Sequence, residues 1–343
     1  MLRFFSRAIV AATLLRLALP AAAETLPVVK VAVTGRPDQA ALELAYHRGY
    51  FTEQGLDVQF VGGGVGAEEF ASALAGGQLQ VAAGAPNAAL FNAFNRGIDL
   101  RIVADWAHVG GADDTTFSFV VRSDLLDSGA VKSAAALKGR TIGVGPSRGS
   151  YNEMFIVEML AQAGLGMADV DGEHLSFPDG IAALAGKKVD GTLLIEPLVM
   201  IAAQKQIARV LVTAGAIDPG AQVAAVMYGA DFAKNTDLAT RYMVAYLHGV
   251  RDFNDAFVRN KGRAAAIDVL MQSTTLTLKD RKVWETMPAH EVDADGKVNV
   301  AHVKAEAAFY KAQGNISGPI PDIDKFIEPR FAEAAVKILA AQK

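Results

Sequence analysis

Short apolar runs alternate with amphipathic helical stretches over most of the chain. Runs at Val28–Val33, Leu56–Val61, Val81–Ala83, Leu100–Val103, Ser118–Val121, Thr141–Val144, His174–Phe177, Thr192–Ile195, Val210–Val212 and Val223–Tyr228 have strand length. Between them, residues 39–48, 67–76 and 150–163 carry helical periodicity. In 67–76, for example, Ala67, Phe70, Ala71 and Leu74 fall on one face at i, i+3, i+4 and i+7. Strand–helix alternation of this kind predicts an α/β fold of parallel sheets with right-handed crossovers. The last third differs: 231–272, 300–314 and 326–341 read as helix alone, a tail expected to pack over lobes already built. No internal repeat or low-complexity segment follows the N-terminus.

The first 23 residues have a separate pattern. Arg3 and Arg7 precede an apolar run from Ala8 to Leu19, followed by Pro20 and Ala21-Ala22-Ala23. A basic start, a short apolar core and an A-x-A site predict a secretory signal peptide cleaved between Ala23 and Glu24. The run, interrupted by Arg16, falls short of the about 20 apolar residues that span a bilayer. Every later apolar stretch is broken by polar residues.

Cleavage removes three of the 33 basic residues, leaving 30 against 37 acidic ones and a net charge of −7. Such a balance offers no electrostatic footprint for nucleic acid. The absence of cysteine excludes disulfides, thiolate nucleophiles, cysteine-ligated metal and a lipidated N-terminal cysteine. With about 320 residues left, two lobes bury surface more effectively than one core.

Four stretches in order carry a resemblance. They are LELAYHRGYFTEQGLDVQF (42–60), ALAGGQLQVAAGAPNAAL (73–90), SAAALKGRTIGVGPSRGSYNEMFIVEMLAQAGL (133–165) and GKKVDGTLLIEPLVMIA (186–202). Together the chain resembles the periplasmic binding proteins for sulfonates, nitrate, taurine and thiamine-pyrimidine precursors. That resemblance implies a two-lobed type II binding fold, with lobe 1 formed by 28–118, lobe 2 by 119–223, and a return strand and helical tail over 224–343. Crossing strands are expected near Phe119–Arg122 and Ala224–Tyr228. It also implies a monomeric solute-binding subunit in the periplasm, without cofactor, that delivers its ligand to the permease and ATPase of an ABC importer.

Ligands of open α/β sheets sit beyond the carboxyl ends of the strands. The loops there supply Arg36 and Asp38; Gly63 and Gly64 in the run Gly62–Gly66; Pro86 and Asn87; Trp106; Ser147, Arg148, Ser150 and Tyr151; Asp179; and Glu196. The glycine run lacks the spacing of a nucleotide loop and reads equally as a ligand contact or a connector. Arg36 and Arg148, one from each lobe, could clamp a carboxylate or sulfonate, or both could be solvated. Ser147 and Ser150 suit an N-cap as well as an anion contact. Trp106 suits stacking on a ligand or core packing, with Phe177 a weaker wall candidate and Trp284 a packing residue. Asp105, Asp179 and Glu196 point the other way, toward a nitrogen heterocycle or an amine.

An organic anion is therefore the first ligand expectation and a pyrimidine-like heterocycle the second, with solute sensing as an alternative role. An enzyme is disfavoured. Relatives of this fold that make the thiamine pyrimidine are cytosolic and carry a cysteine-rich metal segment, whereas this chain has neither. None of the six histidines shows metal-ligand spacing, and no G-x-S-x-G elbow occurs.

Overall fold

The computed structural model describes residues 25–62 and 67–342, so the expected signal peptide, Gly63 and Gly64 lie outside the described residues. Ten strands form two five-stranded sheets. β1 (Val28–Val33), β2 (Asp57–Gly62), β3 (Val81–Gly84), β4 (Leu100–His108) and β10 (Gln222–Gly229) build the first, in the order β2-β1-β3-β10-β4. β5 (Phe117–Arg122), β6 (Thr141–Gly143), β7 (Asp171–Glu173), β8 (Gly191–Ile195) and β9 (Ala208–Thr213) build the second, in the order β7-β6-β8-β5-β9.

Neither sheet is purely parallel, contrary to expectation. β10 runs antiparallel to both β3 and β4, and β5 antiparallel to both β8 and β9. Each reversed strand is the one that arrives from the other sheet, so it enters from the cleft side and runs back against its neighbours. The crossings also lie elsewhere than expected. Phe119–Arg122 and Ala224–Tyr228 sit inside the sheets, while the chain passes between them at 109–116 and 214–221. A β-branched apolar run reads alike in a crossing or a sheet centre, which is why pattern alone misplaced them.

The two crossings touch. Val109 N–H donates to Ala221 C=O, and Gly220 N–H to Val109 C=O, both at 2.9 Å. A Cβ on Gly215 would lie 1.9 Å from Gly111 O, so only glycine allows the backbones to pass this closely. The expected strand at His174–Phe177 is replaced by β7 at Asp171–Glu173, an exposed edge strand whose polar residues carry no apolar signal. Phe177 instead opens a helix, Phe177–Ala185, capped by Ser176.

The tail is more than a cover. Helix Thr236–Phe253 starts at Asn235, whose side chain accepts from Leu238 N–H, and buries Tyr242, Met243, Tyr246, Leu247, Val250 and Phe253. These join Val29, Val31, Val33 and Trp106 in the largest core, beneath the first sheet. Each such side chain contributes roughly 1.5–3 kcal/mol by leaving water. A second core, on the sheet's other face, includes Phe91, Phe94 and Tyr310 and reaches Met154 of the opposite lobe. Trp284 is fully buried, and its indole N–H donates to Leu278 C=O.

Candidate functional site

A cavity of about 400 Å³ lies where the carboxyl ends of the two sheets face each other, in the size range of small-molecule sites. From the first lobe it is lined by the loop after β1 (Thr34, Arg36–Gln39), the loop after β3 (Gly84, Ala85, Asn87), and Trp106 and Ala224 on adjoining strands. The second lobe supplies Thr116, Phe117, Ser147, Ser150–Asn152, Phe177, Ile195 and Glu196. The tail adds Phe253 and Met287–His290. Of the expected residues, Arg36, Asp38, Asn87, Trp106, Ser147, Ser150, Tyr151 and Glu196 are brought together here.

Three are not. Pro86 is buried beside Asn87 without lining the cavity, and Arg148 is exposed outside it. The Arg36–Arg148 clamp is therefore not assembled: the loop turns back at Gly149 to meet the first lobe and leaves Arg148 facing solvent. Asp179 is also exposed and away from the cavity, accepting from the hydroxyl of its own helix cap, Ser176, at 2.5 Å. Asp105 is fully buried and consumed internally. Its carboxylate accepts from Gln222 Nε2 at 2.6 Å and Asp293 N–H at 2.8 Å, and pairs with His108 Nδ1 at 2.7 Å.

The electrostatics follow from these neighbours. Arg36 grips Asp38 through two nitrogens, with Nη2–Oδ2 at 2.6 Å. Burial pushes the Asp38 carboxyl up, but the guanidinium outweighs it with a small push from His290, and the group stays below its usual range. Glu196 has no such partner. Burial raises it to about 7, opposed only by Met200 N–H, which donates to Oε2 at 3.1 Å. Burial lowers His290 and raises Tyr151, so both are neutral near pH 7.

Local capping explains the loop shapes. Ser150 accepts from Glu153 N–H at 3.4 Å, and the Glu153 carboxylate accepts from Gly149 N–H at 2.6 Å. Asn87 caps its own helix by accepting from Leu90 N–H. Gln39 ties down the first loop: its Oε1 accepts from Thr34 and Gly35 N–H, and its amide donates to Glu43 and Thr275. Trp106 packs in the core and also borders the cavity. It is 8% exposed, stacks parallel on Tyr246 at 5.9 Å, and shows an edge to the cavity.

Sequence reasoning missed Asn152, Phe117 and the Met287–His290 loop. The S-x-x-E spacing of Ser150–Glu153 is a helix-start signature, although Glu153 reaches the Gly149 N–H rather than that of Ser150, and nothing local marks His290. Asn152 Nδ2, Tyr151 OH and His290 Nε2 are buried without a hydrogen-bond partner. Both sides of the cavity are bridged between lobes. Ala88 N–H donates to Gly149 C=O at 3.0 Å, and Thr286 Oγ1 meets Met200 Sδ at 3.4 Å.

Two mixed α/β lobes joined by paired crossings around a cavity define the periplasmic binding protein fold. The chain is similar to the aliphatic sulphonate binding protein SsuA from Escherichia coli, with a TM-score of 0.70 at 18% identity over 88% of this chain and 92% of that one. It is similar to the nitrate-binding protein NrtA from Synechocystis, with 0.70 at 14% identity over 92% and 89%. The desulfurization enzyme DSZB shares the fold as well, with 0.63 at 16% identity over 91% and 99%. No curated protein sequence matches. The family model described as NMT1/THI5 like matches residues 36–255, and the chain belongs to that family. Among the described residues no helix is long and apolar enough to cross a membrane, and no group of three or more histidines and carboxylates could hold a metal.

Proposed function

We propose that this protein is the solute-binding subunit of an ABC import system: exported, cleaved after Ala23, and handing a small solute to a permease and its ATPase. The observation that carries this reading is the cavity itself. It is walled by both lobes, about 400 Å³ in volume, and bridged on either side by contacts that can form only when the lobes are together. A ligand that touches both walls stabilises the closed arrangement by its differential affinity for it. A membrane partner can then distinguish loaded from empty protein by shape.

The site supports capture rather than chemistry. Ser150 Oγ donates to Ser147 C=O rather than to a base, His290 Nε2 has no partner, and Glu196 meets only a backbone N–H. None of these three groups is therefore part of the nucleophile–base pair that covalent catalysis requires. The ligand body is set by six aromatic side chains on the wall, Phe70, Trp106, Phe117, Tyr151, Phe177 and Phe253, which suit a flat or compact apolar solute.

Incubating the purified mature protein with a periplasmic small-molecule extract, removing unbound material and identifying what remains by mass spectrometry tests the reading. The expected result is one retained compound that shrinks the radius of gyration in scattering and enters vesicles only with permease and ATPase present. Retention without compaction, or uptake that is independent of the protein, refutes it.

A further inference from the structure

We infer that the cavity takes an uncharged, flat solute presenting a hydrogen-bond acceptor, such as an amide or ketone oxygen, and disfavours carboxylates and sulfonates. This rests on the solute-binding reading and adds the ligand's charge class to it.

Four observations lead there. The single arginine on the wall is already neutralised, because Asp38 holds Arg36 through two hydrogen bonds. The second arginine, Arg148, is outside. Each helix start that could have received an anion already has an N–H taken from within the chain: Glu153 occupies the Gly149 N–H, Asn87 the Leu90 N–H, and Ser176 the Asp179 N–H. Finally, the one further charged group on the wall is a second carboxyl, Glu196. An incoming anion would meet the Asp38 carboxylate, a guanidinium already paired with it and, as pH rises through 7, a second carboxylate at Glu196. No unpaired positive charge on the wall offsets the cost of removing its own charge from water.

What the wall offers instead is donors without acceptors. Asn152 is 8% exposed and lines the cavity, and its Nδ2, sealed just behind that lining, has no partner. Leaving a buried amide unpaired is unfavourable, and a carbonyl oxygen on the ligand would satisfy it once the Asn152 side chain turns its amide into the cavity. Glu196, when protonated, adds an O–H donor in the same space. The remaining lining groups stay out of the titration. Asp38 lies below its ordinary range, Arg36 above, Tyr151 far above, and His290 below. Glu196 alone changes charge near neutrality.

Calorimetric titration of the whole mature protein with matched pairs tests this: benzamide against benzoate, cinnamamide against cinnamate, and benzenesulfonamide against benzenesulfonate. The uncharged member is expected to bind at least about tenfold more tightly near pH 7. Amide affinity should fall as pH rises through 7, when Glu196 ionises, and this dependence should vanish in Glu196→Gln. Asp38→Asn, which leaves Arg36 uncompensated, should swing preference toward benzoate by at least about tenfold. Tighter binding of any anion than its partner overturns the inference, as does a flat pH profile in the unmodified protein or failure of all six compounds at millimolar concentration. Solute capture itself is decided separately by the extract and uptake experiment, which does not depend on ligand charge.

Discussion

Replacing Gly149 by alanine separates lobe closure from lobe stability. Gly149 has φ +68, and a Cβ there would lie 2.5 Å from Ala88 Cβ and 3.2 Å from Asn315 Cβ, both in the opposite lobe. Carbon atoms prefer about 3.5–4.0 Å, so the lobes must part by about 1 Å at this point. Two costs follow. The left-handed backbone costs roughly 1–2 kcal/mol for any side chain, and it applies open or closed. The clash costs about 1–3 kcal/mol by analogy with overpacked cores, and it applies only when the lobes are closed. The second term alone reaches the ligand, weakening affinity roughly 5- to 150-fold. Gly164→Ala is the control, since Gly164 has φ +75 with nothing within 4 Å of its Cβ. Ligand dissociation constants and melting temperatures are to be measured for both variants. Both should melt a few degrees lower, but only Gly149→Ala should bind more weakly. Equal dissociation constants for the two variants would refute the reasoning.

Arg148→Ala should change ligand affinity by less than about 0.5 kcal/mol in a calorimetric titration, as for other exposed residues remote from a site. Trp106→Ala should destabilise the fold by about 3–5 kcal/mol in denaturant unfolding, because all but its cavity edge is core. Glu306 is fully buried with Oε2 unpartnered, and burial holds its carboxyl well above the ordinary range, helped by Asp218 and Glu158. The folded protein therefore keeps a proton that the unfolded chain releases above about pH 4.3, and stability falls as pH rises from there. Glu158, raised by burial to about 7, adds to the same slope up to that point. Glu306→Gln should raise the melting temperature by several degrees at about pH 8 and little at about pH 4, and scanning calorimetry at both checks it.

Local chemistry was legible in the chain, and distant contacts were not. The apolar runs gave nine of the ten strands to within a few residues of their ends, because burial in a sheet centre selects β-branched residues directly. β7 escaped because an edge strand needs no apolar face. Strand direction escaped too, since β5 and β10 reverse for a topological reason that no residue type records. In the site, Arg36 and Arg148 look alike as loop arginines. What separates them is Asp38 two residues after the first, and the Gly149 turn that leaves the second outside. His290 and Met287 reach the cavity from about 250 residues beyond Arg36, and only the folded tail brings them there.

The placement of β10 bears on the order in which the molecule can form. β10 lies between β3 and β4 and is the only strand that joins them, yet it is made after the whole second sheet. As the chain emerges from a ribosome, residues 28–108 lack the strand that unites their sheet and the helix Thr236–Phe253 that fills its core. Residues 117–213, by contrast, contain every strand of the second sheet. The second lobe is thus the first able to complete itself, although it is second in sequence. The first lobe cannot complete its sheet or its core until β10 and the tail helix have been made.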